Sequence, residues 1–297
     1  MSGGFFGRAL LSDLSEGKTG VVTLPASVFR DVLSGYGLGV SFLYDRVPAG
    51  ADPLGPQNIL GFVPGLLTGA GALFGGRFMV VAKSPLTGGW GDANCGGHFG
   101  PVLRAAGYDG VFLYGVSPEP VYLLVDGEKT ALRSAQHLWG LGTGETEARI
   151  RDEVGRGAQI VSIGPAGESC ARIAAIITDG GRAAARSGLG AVMGAKRLKA
   201  VVVRGSQRLP IHDQEALKLL NRRYGELFRK DSSLFSPALF RMTKTFAPLI
   251  RMLRMKPSGP ADTIIHLYRT YGTAGGTAFM TEVGDAPVWN WRGVGAR

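Results

Sequence analysis

Short apolar runs separated by turn-forming residues dominate the chain as far as about residue 205. Residues 7–24 have the pattern of a β-hairpin around a turn-rich segment at 15–20. Several of the later runs are apolar throughout, which is typical of strands covered on both faces. The later runs predicted as strands are Ile59–Val63, Phe78–Ala82, Val111–Tyr114, Val121–Val125, Ile160–Ile163, Arg172–Ile177 and Ala200–Val203.

Helical periodicity in this region is confined to short stretches. The clearest one covers residues 145–154, where Thr143 is positioned to cap the helix and Gly155 to end it. The other short helices are predicted at residues 28–35, 99–106 and 191–198.

After residue 205 the pattern becomes helical. Long helical periods cover Gln214–Arg229, Phe240–Met255 and Thr263–Tyr271. We therefore predict a β-rich domain over residues 1–208 and the beginning of a helical domain over residues 209–297.

The composition is that of an ordered globular protein rich in glycine. Of 297 residues, 47 are glycine, and 45% of the chain is apolar, so a sizeable core can be buried. No apolar run reaches the roughly 18 residues of a membrane span, and residues 1–17 lack the pattern of a secretory signal. The two cysteines have no CxxC spacing, which indicates neither a disulfide framework nor a self-contained zinc or iron–sulfur site. A cytoplasmic location is expected.

The net charge of +10 is concentrated in one segment. Residues 206–260 hold 11 Lys/Arg and 4 Asp/Glu, which accounts for +7 of the total. This favours a local acidic partner surface over a protein that coats nucleic acid. Within the segment, residues 240–256 are apolar as well as basic, so helix packing or a protein interface fits them better than RNA or DNA.

The densest candidate for chemistry is the segment 75–100, GGRFMVVAKSPLTGGWGDANCGGHFG. A strand there leads into a glycine-rich loop, and such loops let backbone amides approach a bulky or anionic ligand. Arg77 could clamp a phosphate with two hydrogen bonds, and Lys83 could add a point charge. A turn-rich connection with Arg77 paired to a surface carboxylate is the alternative.

The second candidate is the segment 178–196, TDGGRAAARSGLGAVMGAK. Its glycines are spaced GxGxxxG and follow no hydrophobic strand, so a dinucleotide-binding loop is not indicated. Instead Arg182 and Arg186 lead into a glycine-rich helix start, an arrangement suited to anions. An ordinary helix cap with solvated arginines is the alternative. Together, the two loops would suit a ligand with two phosphates if they converge.

Six separated motifs in register resemble the first domain of the aldehyde:ferredoxin oxidoreductase family. The resemblance covers roughly residues 5–210. Its motifs are Lys83-Ser-Pro-Leu-Thr-Gly, Ala93-Asn-Cys-Gly-Gly-His-Phe-Gly, Ala106-Gly-Tyr-Asp-Gly, His137-Leu-Trp-Gly with Thr146-Glu-Ala, Ile163-Gly-Pro-Ala-Gly-Glu, and Asp179-Gly-Gly-Arg-Ala-Ala-Ala-Arg-Ser-Gly-Leu-Gly.

The resemblance implies an α+β fold: a two-sheet, β-rich platform with short helices, followed by an incomplete helical segment. It also implies a tungsten (or molybdenum) bis-pterin cofactor whose phosphates are bridged by magnesium. On the matching positions, the backbone carbonyls of Asn94 and Ala183 would bind the magnesium, a cation that prefers oxygen ligands. The residues implied to line the pterin and its phosphates are Arg77, Asn94, Gly96, Arg182, Ala183, Ala185 and Arg186.

The sequence departs from the family pattern in several places. Cys95 stands where a serine is expected. A buried thiol without a function is a simpler interpretation than a thiol that tunes the properties of the nearby metal. Ala185 stands where glycine is expected. A basic insertion is predicted at about residues 232–260. The family's CxxCxxxC run for a [4Fe–4S] cluster is expected only in a C-terminal part beyond Arg297, and the four dispersed histidines give no catalytic assignment.

The implied function is the N-terminal portion of an enzyme that oxidises aldehydes, or related carbonyl substrates, to acids and passes electrons through the cluster to ferredoxin. The expected partners are therefore the C-terminal domains or a completing chain, ferredoxin and the small substrate, with no membrane and no nucleic acid. This chain alone is expected to be inactive. The alternative is a non-catalytic pterin-binding or scaffold subunit that docks to a partner chain.

Overall fold

The computed structural model describes residues 3–231, Met252, Pro287–Val288 and Gly293–Val294. The chain forms two compact units, Met1–Gln214 and Glu215–Arg297. The predicted domain boundary between residues 208 and 209 stays a prediction.

The second unit contains few described elements. Helix α7 covers Gln214–Asp231, as the periodicity of residues 214–229 predicts, and two short antiparallel strands, β13 and β14, cover Pro287–Val288 and Gly293–Val294. The predicted helices at 240–255 and 263–271, and the basic insertion at about 232–260, lie outside the described residues apart from the helical Met252.

The first of two six-stranded sheets has the strand order β2-β1-β6-β3-β4-β5. β1 and β6 are parallel, and the other neighbouring strands are antiparallel. β3 is buried along its whole length, because both faces of the sheet are covered. The strands are β1 Arg8–Asp13, β2 Lys18–Thr23, β3 Leu60–Pro64, β4 Phe78–Lys83, β5 Trp90–Cys95 and β6 Gly110–Tyr114.

The second sheet has the order β11-β10-β9-β12-β7-β8. β12 and β7 are parallel, and the other neighbours are antiparallel. The strands are β7 Val121–Asp126, β8 Lys129–Ser134, β9 Gln159–Ser162, β10 Ile176–Thr178, β11 Arg182–Ala184 and β12 Leu198–Arg204.

Short helices lie between the sheets and on their outer faces. α3 and α6 contact strands of both sheets and contribute Phe99 and Met193 to the main core. α1 and α2 pack on the outer face of the first sheet, and α4 packs on the outer face of the second. The helices are α1 Ala26–Asp31, α2 Tyr36–Tyr44, α3 Phe99–Ala105, α4 Thr143–Val154, α5 Pro165–Glu168 and α6 Leu189–Ala195.

The structure confirms the α+β fold with two β-rich sheets and short helices, and it corrects several details. β5 was expected to be loop, β10 begins at Ile176 rather than Arg172, and α2 was not predicted. Thr143 is the first residue of α4 and makes no capping hydrogen bond, because Gly142 occupies the cap position. None of the described helices combines the length and the apolar content needed to cross a bilayer.

Candidate functional site

The two glycine-rich loops meet where the edge strands of the two sheets lie side by side. β5 is the last strand of the first sheet and β11 the last strand of the second, and the two strands are in contact. Edge strands keep one side of their backbone outside the sheet's hydrogen-bond ladder. Asn94 on β5 and Ala183 on β11 are both exposed at this junction. The two loops therefore converge, which is the condition for binding a ligand with two phosphates.

Arg77 and Arg182 approach the same glycine from different sheets. A Cβ built on Gly96 would lie 3.4 Å from Nη1 of Arg77 and 3.7 Å from Nη1 of Arg182. The Arg77 Nε also donates a hydrogen bond to the side-chain oxygen of Asn94. Within residues 3–231, neither arginine is paired with a carboxylate. Two guanidinium groups beside the same glycine form a positively charged surface, the arginine cradle, which is suited to an oxyanion such as phosphate.

Arg186 differs from these two arginines because it is already neutralised. Its Nη2 lies 2.8 Å from the Asp92 carboxylate, and its Nε donates to the Asp92 carbonyl at 3.4 Å. The neighbouring Ser187 hydroxyl donates to the same carbonyl at 3.0 Å and accepts from the Asp92 N–H at 3.2 Å. The Ser84 hydroxyl in turn donates to the Ser187 carbonyl at 2.9 Å. These bonds fix the segment between β11 and α6 against β5, and no sequence pattern predicted them.

Small side chains keep the backbone accessible along the second loop. Ala183 and Ala185 are exposed, and Ala184 between them is buried. Of the seven residues predicted to bind cofactor, only Gly96 is not exposed, and it is half-buried. All seven lie on β5, on β11 or in the turns that adjoin these strands and β4.

Cys95 faces the core between the sheets and not the arginine cradle. Its side chain is 2% exposed and packs among the residues of the main core. Burial raises the pKa of its thiol, although nearby Arg77 acts in the opposite direction. A buried thiol of raised pKa is a weak nucleophile and a weak metal ligand, so the interpretation of Cys95 as a spare core residue holds.

The segment before Arg182 is a tight hairpin that the sequence analysis did not predict, whereas the helix start expected after Arg186 is present, with Gly188 at the cap position of α6. Asp179 and Gly180 both have positive φ angles, 49° and 69°, and the Gly181 N–H donates to the Thr178 carbonyl at 3.1 Å. This is the geometry of a type I′ turn, for which Asp-Gly is a preferred sequence. Asp-Gly after the β-prone Ile-Ile-Thr was the signal that could have identified the hairpin.

Asp179 is a residue of the candidate site that the sequence motifs did not single out. Its carboxylate accepts a hydrogen bond from the His98 N–H at 2.7 Å and lies 3.6 Å from the His98 Nδ1. Gly97 has a φ of +113°, and a Cβ there would lie only 1.8 Å from the Asp179 carboxylate. Only glycine fits at this position, since both the backbone angle and the close approach exclude a side chain.

A cleft of about 520 Å³ opens beside this turn. The buried Glu147 of α4 connects this helix to the turn: it accepts a hydrogen bond from the Gly180 N–H at 3.1 Å and pairs with Arg151 at 2.6 Å. The cleft is lined by His98, Gly144, Glu147, Ala148, Arg151, Gln159, Asp179 and Gly180.

Comparisons with known proteins point to one family. A tungsten-containing aldehyde ferredoxin oxidoreductase of Thermococcus kodakarensis is 44% identical over 229 residues, which are 77% of this chain and 38% of that protein. The WOR-like subunit of an aliphatic sulfonate oxidoreductase of Pyrococcus furiosus is 34% identical over 252 residues, 79% of this chain and 39% of that subunit.

A solved structure has the same fold. It is the active-site complex BamBC of benzoyl coenzyme A reductase with 1,5-dienoyl-CoA, one chain of which matches with a TM-score of 0.76 and 36% identity. The match covers 80% of this chain and 37% of that chain, so this chain spans well under half the length of its relatives. The family model described as aldehyde ferredoxin oxidoreductase, N-terminal domain, matches residues 9–205, and the chain belongs to this family.

Proposed function

We propose that this chain is the platform that binds a tungsten (or molybdenum) bis-pterin cofactor in an aldehyde:ferredoxin oxidoreductase-like enzyme. One observation carries the proposal: Arg77 and Arg182, from separate loops and separate sheets, converge on Gly96 at 3.4 and 3.7 Å from its Cβ position. Neither has a carboxylate partner within residues 3–231. A phosphate between them would supply the missing negative charge.

The chemistry of the exposed groups fits such a cofactor. Arg77 and Arg182 would bind phosphate oxygens, and Arg186, held by Asp92, would present its remaining donors beside Ala183 and Ala185. The backbone carbonyls of Asn94 and Ala183 would hold the bridging magnesium, since both residues lie on edge strands that face one another. Magnesium takes a few protein oxygens together with phosphates and water, which suits a site without a cage of carboxylates.

The chain's own residues bind and orient in this proposal; they do not carry the reaction. The bound pterin–metal group would supply the two-electron chemistry. The two arginines and the backbone of residues 94–97 would bind this group and orient it. These residues lie on or beside paired β-strands, and sites built on regular elements hold a ligand more precisely than sites built on loops.

The reaction of the whole enzyme is a further step in the proposal. An aldehyde and water would give the acid, two electrons and protons, and the electrons would leave through a [4Fe–4S] cluster to ferredoxin. The cluster ligands and the catalytic residues would come from C-terminal domains or from a completing chain. A relative named as a subunit and a structural neighbour solved as a complex support a partner chain.

The test is reconstitution. Residues 1–297 are co-expressed without oxygen, in tungstate medium, with the C-terminal part of the Thermococcus relative that this chain does not match. We expect the purified complex to contain tungsten and pterin and to reduce a dye when aldehyde is added. Arg77→Ala and Arg182→Ala should each lower the tungsten content about tenfold, as expected for loss of a charged hydrogen bond. Arg133→Ala, at the opposite edge of the second sheet, is the matched control.

The outcomes separate the alternatives. A chain that holds pterin but never supports aldehyde oxidation with any completing chain would favour the non-catalytic scaffold. A wild-type chain without pterin or tungsten would exclude both functions.

A further inference from the structure

We propose that Asp179 is a positioning residue, which fixes the spacing between the two strand edges that hold the cofactor phosphates. The inference rests on the proposed function, because it concerns how Arg182 is held relative to Gly96. Asp179 itself would not touch the cofactor. It would act through the turn that it shares with Arg182 and through Gly97.

Asp179 bridges the two sheets. It belongs to the β10–β11 turn of the second sheet, yet its carboxylate accepts the His98 N–H at 2.7 Å, where β5 of the first sheet leads into α3. The carboxylate also occupies the space above Gly97, at 1.8 Å from the Cβ position. It is therefore a direct contact between the two cofactor-binding segments.

The turn that contains Asp179 is held from its other side as well. The buried Glu147 of α4 accepts the Gly180 N–H at 3.1 Å, and Glu147 is held in turn by Arg151 at 2.6 Å. The turn is thus fixed between α4 and the end of β5. Asp179 and Gly180 both need positive φ angles, so the turn has little freedom to relax if one of these contacts is lost.

The Asp179 carboxylate does not neutralise the charge of Arg182. The Asp179 carboxylate is bonded to a backbone N–H and, within the described part of the chain, makes no ion pair with Arg182. The carboxylate therefore holds the hairpin without neutralising the arginine that follows it. Arg182 keeps its charge for an anion. A carboxylate that paired with Arg182 would instead compete with phosphate.

The position also favours a specific test. Asparagine, like aspartate, tolerates the left-handed conformation, and its side-chain oxygen can accept the His98 N–H. Asp179→Asn should therefore preserve the bridge, whereas Asp179→Ala removes it. If Asp179 only stabilised the turn, its replacement would weaken binding whether or not Arg182 is present. If Asp179 positions Arg182, its replacement should have no further effect on binding once Arg182 has been removed.

The experiment uses the full chain, residues 1–297, and titrates Mn²⁺–pyrophosphate as a stand-in for a divalent cation bound by two phosphates. Binding is followed by calorimetry and by the EPR spectrum of Mn²⁺. We expect Asp179→Ala to weaken binding about tenfold, and Asp179→Asn to remain within about threefold of wild type. Asp126→Ala, which removes an exposed carboxylate of β7 that pairs with Arg204 at 3.5 Å, should bind as wild type does.

A double-mutant cycle with Arg182→Ala completes the test. If Asp179 acts by holding Arg182, the double variant should bind no more weakly than Arg182→Ala alone. Equal binding by wild type and Asp179→Ala, or strictly additive losses in the cycle, would overturn the positioning role and leave the proposed function standing. A wild-type chain that does not bind Mn²⁺–pyrophosphate would overturn the proposed cofactor site and this inference with it.

Discussion

Arg104 and Asp109 form an ion pair that is almost completely buried, with side-chain exposures of 1% and 0%. The Asp109 carboxylate also accepts the backbone N–H groups of Phe6 and Gly7, at 3.0 and 2.6 Å. Arg104 donates to the Gly65 carbonyl at 3.1 Å. The pair thus joins the N-terminal segment, α3 and the loop after β3, and among its polar side-chain atoms only the Arg104 Nε lacks a partner within the described residues.

We predict that Asp109→Asn destabilises the fold by about 3–5 kcal/mol, because the buried Arg104 charge loses its counter-ion. Denaturant unfolding of the wild type and the variant measures the difference. The double variant Arg104→Met/Asp109→Asn should be less destabilised than the single variant, because it leaves no charge unpaired while the side-chain oxygen of the introduced asparagine can still accept the backbone N–H groups. A single variant as stable as wild type would mean that the pair contributes nothing net.

Much of the fold could be predicted because local propensity and tertiary structure agree there. The apolar runs of β7, β9 and β12 are buried strands in the structure, as their β-branched residues indicate. β5 could not be predicted in this way, because Trp-Gly-Asp-Ala-Asn-Cys has little strand propensity. It is extended because each of its residues pairs with β4, from Phe78↔Cys95 to Lys83↔Trp90. Tertiary pairing overrides propensity at that strand.

Lys196 gives a prediction for pH dependence. It is 1% exposed, its Nζ donates to the Gly115 carbonyl at 3.2 Å, and burial lowers its pKa to about 7. Between about pH 7 and the unfolded pKa of 10.5, the unfolded chain binds one more proton than the folded chain. The contribution of Lys196 to stability therefore rises with pH in this window, by up to about 1.4 kcal/mol per unit.

Lys196→Met should consequently be more stable than wild type at pH 7, and its advantage should shrink as the pH rises towards 10. Urea unfolding of both proteins at matched pH values isolates this residue, since the other titrating groups cancel in the difference. A difference that does not change between pH 7 and 9.5 would show that Lys196 is not neutral in the folded protein.

The candidate site was predictable only in part, for a physical reason. The two glycine-rich segments indicated Arg77 and Arg182, because arginine next to glycine-rich backbone is typical of anion binding. They could not reveal Asp179, because its role depends on a contact with His98, 81 positions away in sequence. The helix start expected after Arg182 and Arg186 is present at Leu189, but the Asp-Gly turn that places Arg182 on a strand was not predicted. Residue types suggest a chemistry, but the partner of each side chain is decided by the packing of distant segments.

Two helical glycines should respond to alanine with opposite signs. A Cβ on Gly194 in α6 would lie 1.8 Å from the Gly167 carbonyl oxygen, so the backbones of α5 and α6 would have to separate. We expect Gly194→Ala to cost about 1–3 kcal/mol of stability. Gly144 in α4 has no atom within 4 Å of its Cβ position, so Gly144→Ala should be neutral or stabilising by about 0.5 kcal/mol. Thermal unfolding compares the two, and a loss of equal size in both variants would refute the close-packing argument.

Exposed apolar side chains beside the candidate site should make residues 1–297 prone to association. A Cβ on Gly188 would lie 2.4 Å from the Arg172 carbonyl and 3.1 Å from the Pro85 ring, so the loops that contain these residues meet at Gly188. Their neighbours Leu86 and Ile173 are 50% and 86% exposed. Apolar residues left in water next to a binding site are typical of a surface that another domain or chain covers.

Leu86→Ser/Ile173→Ser should therefore reduce the binding of a hydrophobic dye and lower light scattering, with a change in stability below about 0.5 kcal/mol. Tyr44→Ser is the matched control, because Tyr44 at the end of α2 is also 86% exposed but lies apart from these loops in sequence and belongs to the outer layer. If association depends on the surface beside the site, Tyr44→Ser leaves both signals unchanged. An equal decrease in Tyr44→Ser would mean that exposed apolar area in general, and not this surface, drives the association.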